Sequence, residues 1–220
     1  MTNSLEKLFS PESKNRIMAA VRDAETQTAG EIVPYVVERS DHYEEAEWRA
    51  GILCASLVVA LLTVVRSLAW DWVPLDIMEL GLATLAAGAI GMLAVRVLPA
   101  FRRAFAGKHM LARRVEQRAA EAFISEEVFR TKERTGILIF VSLLERRVLV
   151  VGDAGINEKV NKEEWDGVVG SVVRGIKAGD PADGLVAAIA SCGMLLRKRG
   201  VTRRKGDRDE LSDSLRLRKE

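Results

Sequence analysis

Polar side chains that could bind a ligand or take part in catalysis stand beside the predicted strands of this 220-residue chain. Asp153 and Asn157 follow an apolar run at residues 148–151, and Glu133 precedes another that begins at Gly136. Because an α/β fold usually binds its ligands at one end of the sheet, we expect these three side chains to converge there. The sequence therefore predicts an acidic candidate site, with Asp153 at its centre.

The motifs of the common hydrolases are absent from the sequence. It has no Cys-x5-Arg loop, paired-aspartate start, histidine cluster or glycine-rich phosphate-binding loop. His42 and His109 flank the long apolar runs and are more typical of interfacial or surface residues than of metal ligands. The simpler interpretation of Asp153 is a turn residue that caps the loop after a strand.

Charge and cysteine content indicate neither a nucleic-acid-binding protein nor a cysteine metal or redox site. The 33 lysines and arginines are nearly balanced by 31 aspartates and glutamates, so nucleic-acid binding is not indicated. Cys54 lies in an apolar run and Cys192 in a late apolar helix, and neither has the spacing of a metal knuckle or a redox pair. Ordinary packing is the better interpretation of both.

Two apolar runs in the middle of the chain, residues 51–65 and 80–95, predict a membrane hairpin. Each is shorter than the roughly 20 residues that span a bilayer. Arginine side chains at the ends of the runs can reach outward to the lipid headgroups, which extends the spans to about 50–70 and 75–98. Trp48, Trp70 and Trp72 stand where an aromatic belt would lie. The alternative is a buried helical hairpin in a soluble protein.

The distribution of basic residues predicts the orientation of this hairpin. The connecting loop, residues 70–79, has no lysine or arginine. Basic residues follow the second span closely, at Arg102, Arg103, Lys108, Arg113 and Arg114. Because basic residues favour the cytoplasmic side, we expect both termini in the cytoplasm and the protein in the inner, cytoplasmic membrane. The first nine residues lack the features of a signal peptide, which agrees with this orientation.

The two arms around the hairpin contain an alternation of predicted helices and strands. The first arm predicts a helix from Ser10-Pro11, then a β-rich run at 32–37 whose Pro34 suggests an edge strand. The second arm predicts a helix over 102–130, a strand pair at 136–144 and 148–151, and helices at 162–178 and 181–197. From residue 200 the chain is charged and without an apolar face, so we expect 200–220 to be a disordered tail.

The sequence of this second arm resembles one known family. The run Gly136-Ile-Leu-Ile-Phe-Val-Ser-Leu-Leu-Glu-Arg-Arg-Val-Leu-Val-Val-Gly-Asp-Ala-Gly-Ile156, a helix with Trp165, and then Gly179-Asp180-Pro-Ala-Asp-Gly-Leu are similar to the TPM-domain family. The resemblance is best over 130–196 and looser over 10–37. That family includes bacterial membrane proteins and chloroplast lumen proteins linked to photosystem repair.

The resemblance implies an α/β/α sandwich around a small mixed sheet. In this chain a two-helix transmembrane hairpin interrupts the sandwich after its first strand. Residues 1–47 and 102–199 would then form one split cytoplasmic domain, with the hairpin at 48–101 and the tail at 200–220. Both arms must lie on the same side of the membrane in this arrangement, as the basic residues also predict.

Some members of the family are described as weak phosphatases and some bind calcium, so Ca²⁺ or Mg²⁺ is a cofactor by resemblance alone. This chain departs from the family at the relevant positions. Many members have Asp-Asn-Gly before the central strand, where Arg134 now occupies the position of the amide, and many have Gly-Tyr-Gly-Leu-Glu where Gly152-Asp153-Ala-Gly-Ile156 stands here. Calcium needs several oxygen ligands, so a permanent cation at this point counts against a calcium site.

Three functional hypotheses remain open. The preferred one is a non-catalytic module that binds a partner or assists assembly or repair of a membrane complex. Its binding residues would be Asn157 and, near the membrane, Glu31, Arg39, Asp41 and Tyr43; a solvated collar of polar residues is the competing interpretation of the membrane-proximal group.

The second hypothesis is a metal-assisted phosphomonoester hydrolase, with Asp153 as metal ligand or nucleophile and Glu133 or Glu31 assisting. The third is a homo-oligomer formed through the hairpin, where small residues would let helices approach closely. Those small residues are Gly81, Gly88 and Gly91, with Ala83, Ala87 and Ala94.

Overall fold

A computed structural model describes residues 4–69, 76–203 and 210–219, and these form two compact units. The first unit consists of Met1–Ser40 and Arg114–Glu220, and the second consists of Asp41–Arg113. The helices are α1 (Ser4–Leu8), α2 (Pro11–Gln27), α3 (Glu44–Ala69), α4 (Ile77–Val97), α5 (Pro99–Ala106), α6 (Lys108–Ser125), α7 (Ala154–Asn157), α8 (Asp166–Ala178) and α9 (Pro181–Lys198). The strands are β1 (Glu31–Val37), β2 (Gly136–Ser142), β3 (Arg147–Gly152) and β4 (Arg216–Arg218).

The first unit is built on a mixed sheet with the strand order β3-β2-β1-β4. β1 and β2 are parallel, with Glu31 opposite Gly136 and Val37 opposite Ser142, whereas β2 and β3 form an antiparallel hairpin. Every residue of β1 and β2 is buried, as expected for strands covered by helices on both faces. The predicted α/β fold with a small mixed sheet and two apolar helices after its first strand is confirmed.

Alternate residues of the strands supply two separate hydrophobic cores, one on each face of the sheet. On one face, Ile32, Val36 and Ile139 belong to a core shared with α2, α8 and α9. On the other face, Tyr35 and Phe140 stack with their ring centroids 5.6 Å apart and belong to a core shared with α6. The period of two residues in a strand explains this division.

Pro34 lies on a strand that is not at the edge of the sheet, although its missing N–H suggested an edge. On the β4 side of β1, the Ile32 N–H donates to the Glu25 carboxylate over 2.8 Å and the Glu38 N–H donates to the Arg218 carbonyl over 3.1 Å. Backbone N–H groups alternate between the two sides of a strand, so the position where Pro34 lacks its N–H also faces the β4 side. β4 pairs only with residues 35–37, so no ladder bond is lost.

The described C-terminal residues, 200–203 and 210–219, differ from the disordered tail expected for 200–220. Val201 is buried, and Arg216–Arg218 form β4, which pairs in parallel with β1. Asp213 is also buried, at 6% exposure. The apolar pattern did not predict this segment because charged and polar residues surround Leu211, Leu215 and Leu217, which pack against the two cores.

The predicted helix over 102–130 is divided in the structure. Gly107 has a φ of 78°, a left-handed value that glycine adopts without strain, and it separates α5 from α6. The later helices begin much as predicted. The Asp180 side chain accepts the Asp183 N–H at the start of α9, and Pro181 takes the first helical position.

The second unit contains the two apolar helices. α3 and α4 pack closely because small residues face each other: a Cβ on Gly91 would lie 2.8 Å from the Ala50 carbonyl oxygen and from the Cys54 sulfur. The segments Glu44–Leu68 and Ile77–Val97 are long and apolar enough to cross a membrane, with mean hydropathies of 2.2 and 1.8. Trp48 is exposed, whereas Trp70 and Trp72 lie outside the described residues.

Candidate functional site

The candidate site lies at the end of the sheet where β1 and β2 begin and β3 ends. Glu31 is the first residue of β1, Glu133 precedes β2, and Asp153 follows β3 directly. The antiparallel return of β3 brings Asp153 back to the start of β2, where its N–H donates to the Gly136 carbonyl over 2.9 Å. These residues therefore share the amino end of the parallel strands, not the carboxyl end where α/β folds commonly bind ligands.

Asp153 is 5% exposed, and contacts within the chain engage both of its carboxylate oxygens. Arg134 donates from Nε to Oδ2 over 2.6 Å and from its second terminal nitrogen to Oδ1 over 2.9 Å. The same Oδ1 accepts the Ala154 N–H over 2.7 Å, which makes Asp153 the N-cap of the short helix α7. Asp153 is thus a capping residue in a bidentate ion pair.

The backbone of the turn before β2 holds Arg134 in this position. Arg134 has a φ of 55°, and its carbonyl accepts the Gly155 N–H over 3.0 Å. A Cβ on Gly155 would lie 2.3 Å from the Glu133 carbonyl oxygen, so this close approach requires glycine. Hydrogen bonding and charge attraction from Asp153 raise the pKa of Arg134, which keeps the guanidinium cationic.

The other predicted residues at this end have separate roles. The Asn157 side-chain amide donates to the Gly152 carbonyl over 2.6 Å and so holds α7 to the end of β3. The Glu31 carboxylate accepts the N–H groups of Glu210 and Leu211, each over 3.3 Å. Glu133 is exposed on the turn. These side chains share one end of the sheet, but Asn157 and Glu31 each hold a different segment to it.

These residues do not fit a calcium or magnesium ion. In the described parts of the chain, no group of three or more His, Cys, Asp or Glu side chains is placed to hold a metal. A calcium ion needs six to eight oxygen ligands at about 2.3–2.6 Å. Asp153 instead faces the Arg134 guanidinium, which would repel a cation.

Arg39, Asp41 and Tyr43, which were predicted to bind a partner near the membrane, follow the opposite end of β1. Arg39 is half-buried and lies two residues after Val37, the end of the strand, which is roughly 20 Å from Glu31. Asp41 and Tyr43 begin the second unit: Asp41 accepts the His42 N–H over 2.7 Å, and Tyr43 is fully buried. The Tyr43 ring therefore offers no accessible surface. The predicted site residues do not form one constellation.

A buried polar cluster at the carboxyl ends of β1 and β2 was not among the predicted residues. The Glu145 carboxylate accepts the Ser40 N–H over 2.9 Å and the Ser142 hydroxyl through a short contact. The Ser40 and Ser142 hydroxyls are 2.8 Å apart. Glu145 thus connects the residues that follow β1 to the turn between β2 and β3. A serine at a strand end with a glutamate three residues later is the only sequence signal for it.

Comparison with known proteins agrees with the fold. Residues 108–195 match the family model of the TPM domain, which confirms the resemblance described for 130–196. The NMR structure of the BA42 protein from the psychrophilic bacterium Bizionia argentinensis is similar, with a TM-score of 0.60 and 22% identity over 99% of each chain. At that identity the similarity shows the fold. None of the curated proteins matches the sequence.

Proposed function

We propose that this chain is a membrane-anchored TPM-like domain that acts as a non-catalytic binding module in the assembly or repair of a membrane complex. The observation that carries the proposal is the exposed apolar surface of α3 and α4. Only 6% and 11% of their most apolar windows are buried within the chain. A core helix of a soluble protein would be mostly buried.

The size and surface of the hairpin support anchoring in a bilayer. At 1.5 Å per residue, the helical segments of 25 and 21 residues, including their charged ends, would be about 38 and 32 Å long, against a hydrocarbon core of about 30 Å. Leu57, Leu61 and Leu68 are among many large apolar side chains that α3 exposes. An apolar surface of this extent favours lipid as its surroundings.

The orientation we propose places both arms in the cytoplasm and the loop between the spans outside. Its support is the basic composition after the second span and the absence of lysine and arginine from residues 70–79. The inner, cytoplasmic membrane is the corresponding location.

The chemistry of the candidate site supports binding over catalysis. Asp153 is already engaged by Arg134 and by the start of α7, so it is a poor candidate for a nucleophile or metal ligand. A phosphatase would need that pair to open. Homo-oligomerisation through small residues also has less support, because Gly88 and Gly91 face α3 of the same chain. Gly81 has no neighbour within 4 Å and stays available.

Photocrosslinking in intact membranes tests the proposed function. A photoreactive amino acid at the exposed positions Ile124 or Met194 samples the surface of the first unit, and one at Leu57 is the matched control on the lipid-facing helix. We expect mass spectrometry to identify the same specific membrane protein from Ile124 or Met194 and not from Leu57. Recovery of only abundant, unrelated proteins from all three positions would contradict the binding module.

Extraction of the membranes tests the anchor by itself. The chain should stay in the membrane pellet after alkaline carbonate treatment, because the hairpin is buried in lipid. Complete release into the supernatant would show that α3 and α4 do not span the bilayer, whatever the crosslinking result.

A further inference from the structure

The outer strand of the sheet is short and covers only part of its neighbour. β4 pairs with residues 35–37 of β1, placing Arg216 opposite Tyr35 and Arg218 opposite Val37. By contrast, β2 pairs with β1 along all seven residues. Within the described residues, the ladder of β4 is therefore brief, and the loss of this strand would leave the rest of the sheet paired.

Charged contacts hold the C-terminal segment, residues 210–218, to the unit. Glu126 accepts hydrogen bonds from Arg216 over 3.1 Å and from Arg218 over 3.3 Å. Hydrogen bonds to Glu126 and Tyr35 raise the pKa of Arg218. At the start of the segment, Glu210 accepts the Lys132 N–H over 2.9 Å. Contacts of this kind weaken as salt concentration rises.

Asp213, inside the same segment, is incompletely satisfied. Its Oδ2 accepts from Arg22 over 2.6 Å, whereas Oδ1 has no hydrogen-bond partner among the described residues. Only 6% of its side chain is exposed. A buried carboxylate oxygen without a partner opposes burial, so it offsets part of the stability that the Arg22 contact gives the segment.

The surface under β4 is suited to an extended peptide. Release of β4 would unpair the Glu38 N–H and leave the edge of β1 open, as a template for another strand. The Glu126 carboxylate, 17% exposed beside this edge, would lose both of its arginine partners. The open edge therefore combines backbone hydrogen-bonding groups with a negative charge.

We propose that the β1 edge is a binding site for an extended segment of a partner protein with a basic–apolar–basic pattern, and that residues 210–218 occupy it as an internal competitor. The proposal rests on the binding function proposed above and specifies its partner chemistry. Side chains alternate along a strand, so Arg216 and Arg218 lie on one side and both reach Glu126. Leu217 lies on the other side and packs against the core.

A binding assay with the full chain in detergent micelles tests this inference. The probe is a fluorescent peptide with the sequence of residues 210–219, and anisotropy reports its binding. Wild-type chain should bind weakly, because its own segment competes. The double variant Arg216→Ala/Arg218→Ala loses both contacts to Glu126, so we expect it to bind the peptide at least tenfold more tightly.

Two matched controls make the assay specific. In the double variant, adding Glu126→Gln should weaken binding about tenfold, whereas adding Glu127→Gln should not, because Glu127 pairs only with Arg130 among the contacts that the structure shows. A peptide in which glutamates replace both arginines should bind at least tenfold more weakly. Equal binding of the two peptides, or no saturable binding to the double variant, would overturn the proposal. Dimers of the double variant that exclude the peptide would also overturn it, in favour of strand exchange between copies.

Hydrogen exchange in the unaltered chain gives a second measurement that does not depend on how the variant folds. Raising salt from about 50 to 500 mM should accelerate exchange in residues 210–219 and at the Glu38 amide several-fold, while β2 stays protected. Unchanged exchange in the C-terminal segment would contradict a displaceable strand. Crosslinking to a partner would still support the binding module in that case, so the two proposals fail separately.

Discussion

Arg134 and Asp153 form a bidentate ion pair across the start of β2, with donor–acceptor distances of 2.6 and 2.9 Å. The carboxylate is 5% exposed and the arginine side chain 55% exposed. The pair joins the turn before β2 to the helix after β3, and it places a cation beside the carboxylate that a bound metal ion would need as a ligand. The site is therefore organised for a structural contact.

Asp153→Ala should destabilise the first unit. It removes the N-cap of α7 and leaves Arg134 without its carboxylate, and loss of a cap alone costs about 1–2 kcal/mol. Asp153→Asn keeps a capping oxygen and should cost less than the alanine variant. Urea unfolding in micelles, followed by tryptophan fluorescence, measures both. Asp183→Asn is the control, since its pair with Arg16 is 64% exposed on the carboxylate side and should contribute little. Equal stability of all variants would contradict the capping role.

The purified chain should not hydrolyse a generic phosphomonoester, with or without added Ca²⁺ or Mg²⁺. The physical reason is that Arg134 occupies both oxygens of Asp153. Release of inorganic phosphate by wild type and Asp153→Asn, prepared identically, measures this. Turnover that disappears in Asp153→Asn would restore the hydrolase hypothesis, whereas turnover equal in both would identify a contaminant.

Gly91→Ala should destabilise the hairpin. The added Cβ would lie 2.8 Å from both the Ala50 carbonyl oxygen and the Cys54 sulfur, so α3 and α4 would have to separate. Overpacking of this kind typically costs about 1–3 kcal/mol. Gly81→Ala is the matched control, because a Cβ there meets nothing within 4 Å. Thermal unfolding in micelles should show a lower midpoint for Gly91→Ala alone; equal midpoints would mean that this contact does not hold the helices together.

Cys192 should make stability fall at high pH. Complete burial raises the pKa of its thiol from 9.0 to about 12. Between those values the unfolded chain loses the thiol proton and the folded chain keeps it, so ionisation favours the unfolded state, by about 1.4 kcal/mol per pH unit. Cys192→Ala should therefore lose less stability than wild type between pH 9 and 12, measured by urea unfolding in a Cys54→Ser background. Parallel losses would contradict the prediction.

Asp76→Cys should react with a membrane-impermeant maleimide added outside intact cells. Asp76 is exposed before α4, on the loop that we place outside the cytoplasm. A cysteine at the exposed Ile124 is the matched control and should react only after the membrane is opened. Cys54→Ser serves as background for both. The opposite labelling pattern would reverse the proposed topology.

Local features of the sequence predicted much of the fold. The apolar runs indicated α3, α4, β2 and β3, and the Asp180-Pro181 signal indicated the start of α9. These features can be predicted because hydropathy and capping depend on residues close together in the chain. The long helix over 102–130 was predicted less well, since Gly107 divides it near its start and only the backbone conformation of Gly107 reveals the break.

The sequence by itself determined that the chain would have an α/β unit interrupted by two apolar helices. The spacing of apolar residues and the hydropathy of a run are both properties of short segments. Only the tertiary structure decided the contacts between segments that are far apart in the chain. β1 pairs in parallel with β2 and β4, and Arg134 pairs with Asp153 nineteen residues away. No local feature of the sequence indicates either pairing. β4 in particular has only three residues and a charged pattern, so its place in the sheet depends on partners such as Glu126, far away in the sequence.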